Sequence, residues 1–169
     1  RVLIKRIHKD TAQGDFKFLH LLEEKGVKIT DTPNGILADG SGVGTFDGWD
    51  ADMRDFSDQA LTLAALAPFA QTPTRIRGVG HIRRQECDRI NAIVENLNAL
   101  GVPAETDGDD IVIRPAPVRG GRVKTFDDHR VAMAFTLIGL KTGTIVIENP
   151  QCCKKTFENY FEIISKLTD

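Results

Sequence analysis

Apolar positions along this chain fall into two kinds of helix that alternate. Between residues 89 and 100, Ile90, Ile93, Val94, Leu97 and Leu100 recur at helical spacing and form one stripe, as expected of a helix with a single buried face. Phe18, Leu19, Leu21 and Leu22 are a cruder equivalent, and Phe157, Tyr160, Phe161, Ile164 and Leu167 predict a third such helix near the end. The segments 58–70 (DQALTLAALAPFA) and 129–140 (HRVAMAFTLIGL) are instead apolar nearly all round, the pattern of a helix buried on every side. Each leads into a β-rich stretch, TRIRGVG (74–80) and TIVIEN (144–149).

The alternation is a repeat. LLEEKGVKITDTPNGILAD aligns without a gap on NLNALGVPAETDGDDIVIR, at an offset of 75 residues as Gly26 maps onto Gly101. Glycine is the expected residue just past a helix end. Pro33-Asn34-Gly35 and Asp107-Gly108-Asp109 then supply the turns of two β-hairpins. The chain reads as buried helix, strand, amphipathic helix and hairpin in succession, a mixed α/β (α+β) fold of stacked units that cover one another's apolar faces. The first unit lacks its buried helix and the last lacks its hairpin. With Arg1 in place of an initiator methionine, this reads as one domain, residues 1–169, cut from a longer chain.

Composition narrows the function classes. Hydrophobic residues at 41% and charged residues at 27% are those of a soluble globular protein. A net charge of −2 supplies no basic field for nucleic acid or an anionic membrane. No apolar run reaches the roughly 18 residues of a membrane-spanning helix, and RVLIKRIHKD returns to charge too soon for a signal peptide. Three cysteines (Cys87, Cys152, Cys153) make no paired framework and fit a reducing cytosol. Four scattered histidines match no zinc spacing. The aspartates at 47, 50, 52, 55 and 58 lack the glycine and terminal glutamate of a calcium loop. The glycine-rich segment 38–48 lacks the lysine of a phosphate-binding loop and reads as a turn.

Candidate chemistry lies at the helix heads. Arg130 follows the N-cap candidate Asp128, Arg89 lies at the head of the helix opened by QECDRI, and Lys155 precedes Thr156, the expected cap of the last helix. A cation there opposes the helix dipole, whereas free N–H groups at a helix start bind phosphate or carboxylate. Three separate ion pairs would also account for these cations: Arg89 to Asp88 or Glu86, Arg130 to Asp127, and Lys155 to Glu158. Asp58 is either a dipole-complementing carboxylate or a catalytic one. Glu86 is either a capping residue or a general acid or base, and His129 either a hydrogen bonder or a proton carrier.

QGD (13–15), DADMRDFSDQALTLA (50–64), RRQECDRI (83–90), DDHRVAMAF (127–135) and KTFENYF (155–161) occur in one register. Together they resemble the EPSP synthase (3-phosphoshikimate 1-carboxyvinyltransferase) family over essentially the whole chain. The resemblance implies repeated βαβαββ units, with partly buried helices inside and mixed sheets outside. It implies most of the C-terminal domain of a two-domain, usually monomeric cytoplasmic enzyme, with the N-terminal domain absent. The implied reaction moves the enolpyruvyl group of phosphoenolpyruvate to the 5-hydroxyl of shikimate 3-phosphate, on the way to chorismate and aromatic amino acids, with no cofactor or metal. Asp58 matches the family's proton acceptor, Glu86 the carboxyl that moves a proton at the methylene, and His129 a histidine of the site. Arg89, Arg130 and Lys155 match the cations that hold phosphoenolpyruvate. Asp58, Gln85 and His81 match positions against shikimate 3-phosphate, with Gln85 where lysine is common and His81 where asparagine is. The other domain supplies further phosphate-binding residues, so this piece alone is expected to be inactive. Two other readings are a UDP-N-acetylglucosamine enolpyruvyl transferase and a non-catalytic anion-binding module.

Overall fold

In the computed structural model, which describes residues 1–166, the repeat is visible strand by strand. Strand β1 (Val2–Lys5), helix α1 (Phe18–Glu23) and the hairpin β2 (Lys28–Thr32) and β3 (Gly35–Asp39) form the first unit. The second contains β4 (Asp50–Asp52), α2 (Ala60–Leu66), β5 (Thr74–Arg77), α3 (Arg89–Ala99), β6 (Ala104–Asp107) and β7 (Asp110–Ile113). The third contains β8 (Gly121–Val123), α4 (His129–Thr142), β9 (Ile145–Ile147) and α5 (Tyr160–Lys166). The hairpins close on Thr32 opposite Gly35 and on Asp107 opposite Asp110, positions related by the repeat offset read from the sequence. Gly26 and Gly101, after the two amphipathic helices, hold φ of 90° and 82°, a region other residues enter only at a cost.

Each hairpin joins the preceding strand in the same antiparallel way, giving sheet orders β1-β3-β2 and β5-β7-β6. Strands β4 and β8 add what the hydropathy pattern did not show. Each pairs parallel to the strand beyond a buried helix, β4 with β5 and β8 with β9, so α2 and α4 are crossover helices. With three residues apiece, and two of them aspartates in β4, they are too short to carry an alternation signal.

The stripe predicted for α3 packs as expected: Ile90, Ile93, Leu97 and Leu100 are fully buried and Val94 packs against them. They meet Ile76, Ile111 and Ile113 of the sheet and Phe135 and Ile138 of α4 in one core. Helix α2 packs on α4 and buries Ala60, Ala64 and Ala65 with Leu61 and Leu63. Fully burying each large side chain contributes about 1.5–3 kcal/mol. The all-round pattern is not covered everywhere. Met133 and Leu137 of α4 are half-buried and Leu140 is exposed, as are Val2, Leu3 and Ile4 of β1.

The last helix differs from expectation. Pro150 opens a 3-10 turn, Pro150–Lys155, that buries Cys152 and Cys153 against Ala132. Thr156 closes that turn, and α5 begins only at Tyr160. Lys155 therefore ends a short helix instead of preceding one, a position the dipole favours. Tyr160, Phe161 and Ile164 are half-buried, Phe157 is exposed, and Leu167 lies outside the described residues. Among the described residues no helix is long and apolar enough to cross a membrane.

Candidate functional site

Three helix heads converge. Asp58 sits in the 3-10 turn Ser57–Gln59 that feeds α2. Arg89 is the first residue of α3, whose cap Asp88 accepts from Asn91 N–H at 3.0 Å. His129 and Arg130 open α4, whose cap Asp128 accepts from Arg130 N–H at 2.8 Å. Both aspartate caps satisfy N–H groups that a helix start otherwise leaves unpaired.

The side chains then pair across the heads. Arg130 Nη2 lies 2.8 Å from Asp58 Oδ2, and Arg89 Nη1 donates to Asp58 Oδ1 at 2.9 Å. Arg89 also donates through Nε to Asp128 Oδ2 at 2.8 Å and through Nη1 to Gln85 Oε1. Lys155 Nζ donates to Glu86 Oε2 at 2.8 Å, and His129 Nδ1 lies 3.1 Å from the same oxygen. None of the local ion pairs considered from sequence forms among the described residues; Asp88 pairs with Arg83 instead, at 3.1 Å. The dipole cost of Arg130, a few tenths to about 1 kcal/mol, is offset by a carboxylate from another unit.

All eight residues singled out from sequence fall at or beside this cluster. Ser57 Oγ and His81 Nε2 are 2.7 Å apart, which ties His81 to the turn carrying Asp58. Gln85 turns its carbonyl onto Arg89, and its amide N–H groups have no protein partner among the described residues. The correction concerns Lys155, which reaches the cluster from the end of a 3-10 turn and not from a helix head. Three other aspartates of the 47–58 run pair with separate cations, Asp50 with Arg77, Asp52 with Arg54 and Asp55 with Lys17.

Burial divides the cations. Arg89 has a side-chain exposure of 4%, against 32% for Arg130 and 51% for Lys155. Arg130 and Lys155 are thus the accessible cations, while Arg89 is buried against Asp58 and Asp128. Burial pushes the Glu86 carboxyl upward, but the Lys155 ammonium and His129 outweigh it and hold Glu86 below the usual glutamate range. The same pair raises Lys155. Burial also works against the Asp128 carboxylate, yet the Arg89 guanidinium and the Arg130 N–H keep it below its ordinary value. Burial and the Asp128 charge push the Cys87 thiol up to about 12, which makes it a poor nucleophile.

Glu86, Asp128 and His129 offer ligand atoms within 4.8 Å of one another. Asp128 is already engaged by a guanidinium and Glu86 by an ammonium, so this donor set is that of an ion-pair network. Sequence reasoning gave Asp128 only a capping role; the acidic doublet ahead of His129-Arg130 was the available signal.

Comparison with known proteins places the chain in a family. A family model described as EPSP synthase (3-phosphoshikimate 1-carboxyvinyltransferase) matches residues 1–164. The 3-phosphoshikimate 1-carboxyvinyltransferase of Nostoc punctiforme is 45% identical over 161 residues, covering 95% of this chain and 37% of the relative. That of Nostoc sp. is 41% identical over 169 residues, 100% of this chain and 39% of the relative. An EPSP synthase structure from Acinetobacter baumannii superimposes with a TM-score of 0.80 at 22% identity, over 98% of this chain and 41% of that one. The enolpyruvyl transferase NikO from Streptomyces tendae gives 0.68 at 22% identity, over 89% and 34%. The chain thus spans about two fifths of the length of the relatives it matches.

Proposed function

The chain belongs to the EPSP synthase family, and on that premise we propose that, within a longer polypeptide, it transfers the enolpyruvyl group of phosphoenolpyruvate to the 5-hydroxyl of shikimate 3-phosphate and releases phosphate. The observation that carries the reading is the meeting of Arg89, Asp58 and Glu86 of the second repeat unit with Arg130 and Lys155 of the third in one cluster of charges. Likeness to NikO at low identity speaks only to the fold, and the acceptor is argued from the residues.

Phosphoenolpyruvate carries a phosphate and a carboxylate, and Arg130 and Lys155 are the accessible cations able to hold them. Planar guanidinium suits either group in a bidentate contact, and ammonium acts as a point charge. Arg89 adds positive charge from below. Asp58 accepts the proton of the attacking hydroxyl as its oxygen bonds to C2 of phosphoenolpyruvate, while a proton is delivered to C3. Loss of a proton from the resulting methyl group and departure of phosphate then restore the double bond. Glu86 is the group for both transfers at C3. In the ligand-free site Lys155 keeps Glu86 ionised; when the ligand's anionic groups engage Lys155, the carboxyl is released to take up and return that proton. Gln85 offers its free amide N–H groups, and His81 its ring, to shikimate 3-phosphate. The remaining phosphate contacts and closure of the cleft come from the part of the enzyme outside this chain, which works in the cytoplasm.

The test is turnover of the two substrates by the full-length polypeptide, and its loss in Asp58→Ala. Near-normal turnover of that variant removes Asp58 as the base.

A further inference from the structure

We propose that Asp128, which contacts no ligand in the reading above, is the positioning residue that fixes Arg89 and Arg130 relative to each other; the proposal rests on that reading of the cleft. Its carboxylate is fully buried and every partner it has belongs to the site. Arg89 approaches edge-on, with Nε at 2.8 Å from Oδ2 and Nη2 at 3.4 Å from Oδ1. Arg130 N–H donates to Oδ1 at 2.8 Å, and the Cys87 thiol reaches Oδ2 at 3.6 Å.

The geometry explains what this accomplishes. A guanidinium is a rigid fork. With its Nε and Nη2 edge held by Asp128, the remaining Nη1 is aimed at Asp58 and Gln85. The same carboxylate caps α4 and so sets where Arg130 leaves the helix. One side chain thereby joins the head of α3 to the head of α4.

Stability alone gives little reason to keep such a pair. A buried ion pair costs much of its attraction in desolvation and is often replaceable by apolar residues without loss. The approach to Asp128 is also strained. Phe126 and Asp127 take φ of 53° and 58° in succession, a region that residues other than glycine enter only at a cost. Their turn closes through Asp128 N–H to Thr125 O at 2.9 Å and is pinned by Asn149 Nδ2 on Asp127 Oδ1 at 3.0 Å. Strain of this kind persists where the surroundings require one geometry.

Asp128→Asn and Asp128→Ser in the full-length polypeptide separate positioning from capping, because asparagine and serine cap helices as well as aspartate does. We expect the KM for phosphoenolpyruvate to rise about tenfold or more in both. The Arg89 Nε–H resonance should lose its protection from solvent exchange in both variants. Unchanged KM for phosphoenolpyruvate, or a lower folded fraction with kinetics otherwise intact, overturns the proposal. If the parent itself shows no turnover, the functional reading falls. Inorganic phosphate then serves as the probe: weakening by about tenfold in the variants supports positioning, and equal affinity refutes it. Should neither variant fold, the parent decides, since its Arg89 Nε–H must stay protected down to about pH 5. Exchange at the rate of exposed arginines contradicts the role.

Discussion

Replacing Arg89 by methionine should reverse the pH dependence of stability that Asp128 confers. Methionine fills similar space without charge, so the fully buried Asp128 carboxylate loses the guanidinium that lies 2.8 Å away. Breaking a buried pair in this way costs about 3–5 kcal/mol, a large share of the roughly 5–15 kcal/mol that holds a domain together. The sign with pH follows from which way the carboxyl is pushed. In the parent, Asp128 titrates below its ordinary value, so its stabilisation is present above about pH 4 and is lost as pH falls through the depressed value. In the variant only burial and the α4 N–H act strongly on it, and burial was the largest influence already. The folded-state value then rises, and stability is lost as pH climbs from about 4 toward that raised value, at about 1.4 kcal/mol per pH unit. The deficit relative to the parent should therefore be largest near about pH 7 and shrink toward about pH 4. Urea unfolding read from Trp49, the single tryptophan and a buried one, measures it across that window. A deficit that does not change with pH, or one below about 1 kcal/mol at neutral pH, refutes the reasoning.

Lys155→Met should raise the Glu86 carboxyl, because burial and the nearby Asp128 charge then oppose only His129. A side-chain carbon NMR titration checks this, and an unmoved Glu86 would show that Lys155 does not hold it ionised. Phe135→Ala, at a fully buried position between the sheet and α4, should cost about 3–5 kcal/mol through the cavity it leaves. Urea unfolding checks that value, and a loss under about 1 kcal/mol would mean the core closes over the gap.

What could be read in advance depended on how local each signal is. The two hairpins and the glycines before them were legible because a turn and a helix end each need particular residues within a few positions. The stripe on α3 was legible because packing repeats with the helical period. Strands β4 and β8 were not, since three residues cannot show a period and their pairing is made by partners beyond a crossover helix. The start of α5 was misread because Thr156 is a good cap by type, while Pro150 had already committed the preceding residues to a 3-10 turn. At the site, residue types and positions were legible but partners were not. Arg89 and Arg130 were each given an acidic neighbour in sequence, whereas both take Asp58, which is 31 residues from Arg89 and in another unit from Arg130. The role proposed for Asp128 was hidden for the same reason, as only the folded chain brings Arg89 against the cap of α4.

The dipole question raised by Arg130 is answered by that geometry. A cation at a helix head is tolerated when a carboxylate stands opposite it, and Asp58 does so for two cations at once. An arrangement in which the site's own acids occupy its cations is poised for exchange with an anionic ligand, and the chemistry proposed here begins with that exchange.

The most direct measurement is phosphate release by the full-length polypeptide given phosphoenolpyruvate and shikimate 3-phosphate, for the parent and for Asp58→Ala. The account predicts phosphate and enolpyruvyl product in equal amounts from the parent, only when both substrates are present. For the variant it predicts a turnover rate lower by about 10²–10⁴-fold. Turnover close to the parent's in Asp58→Ala, or phosphate released without shikimate 3-phosphate, would contradict it.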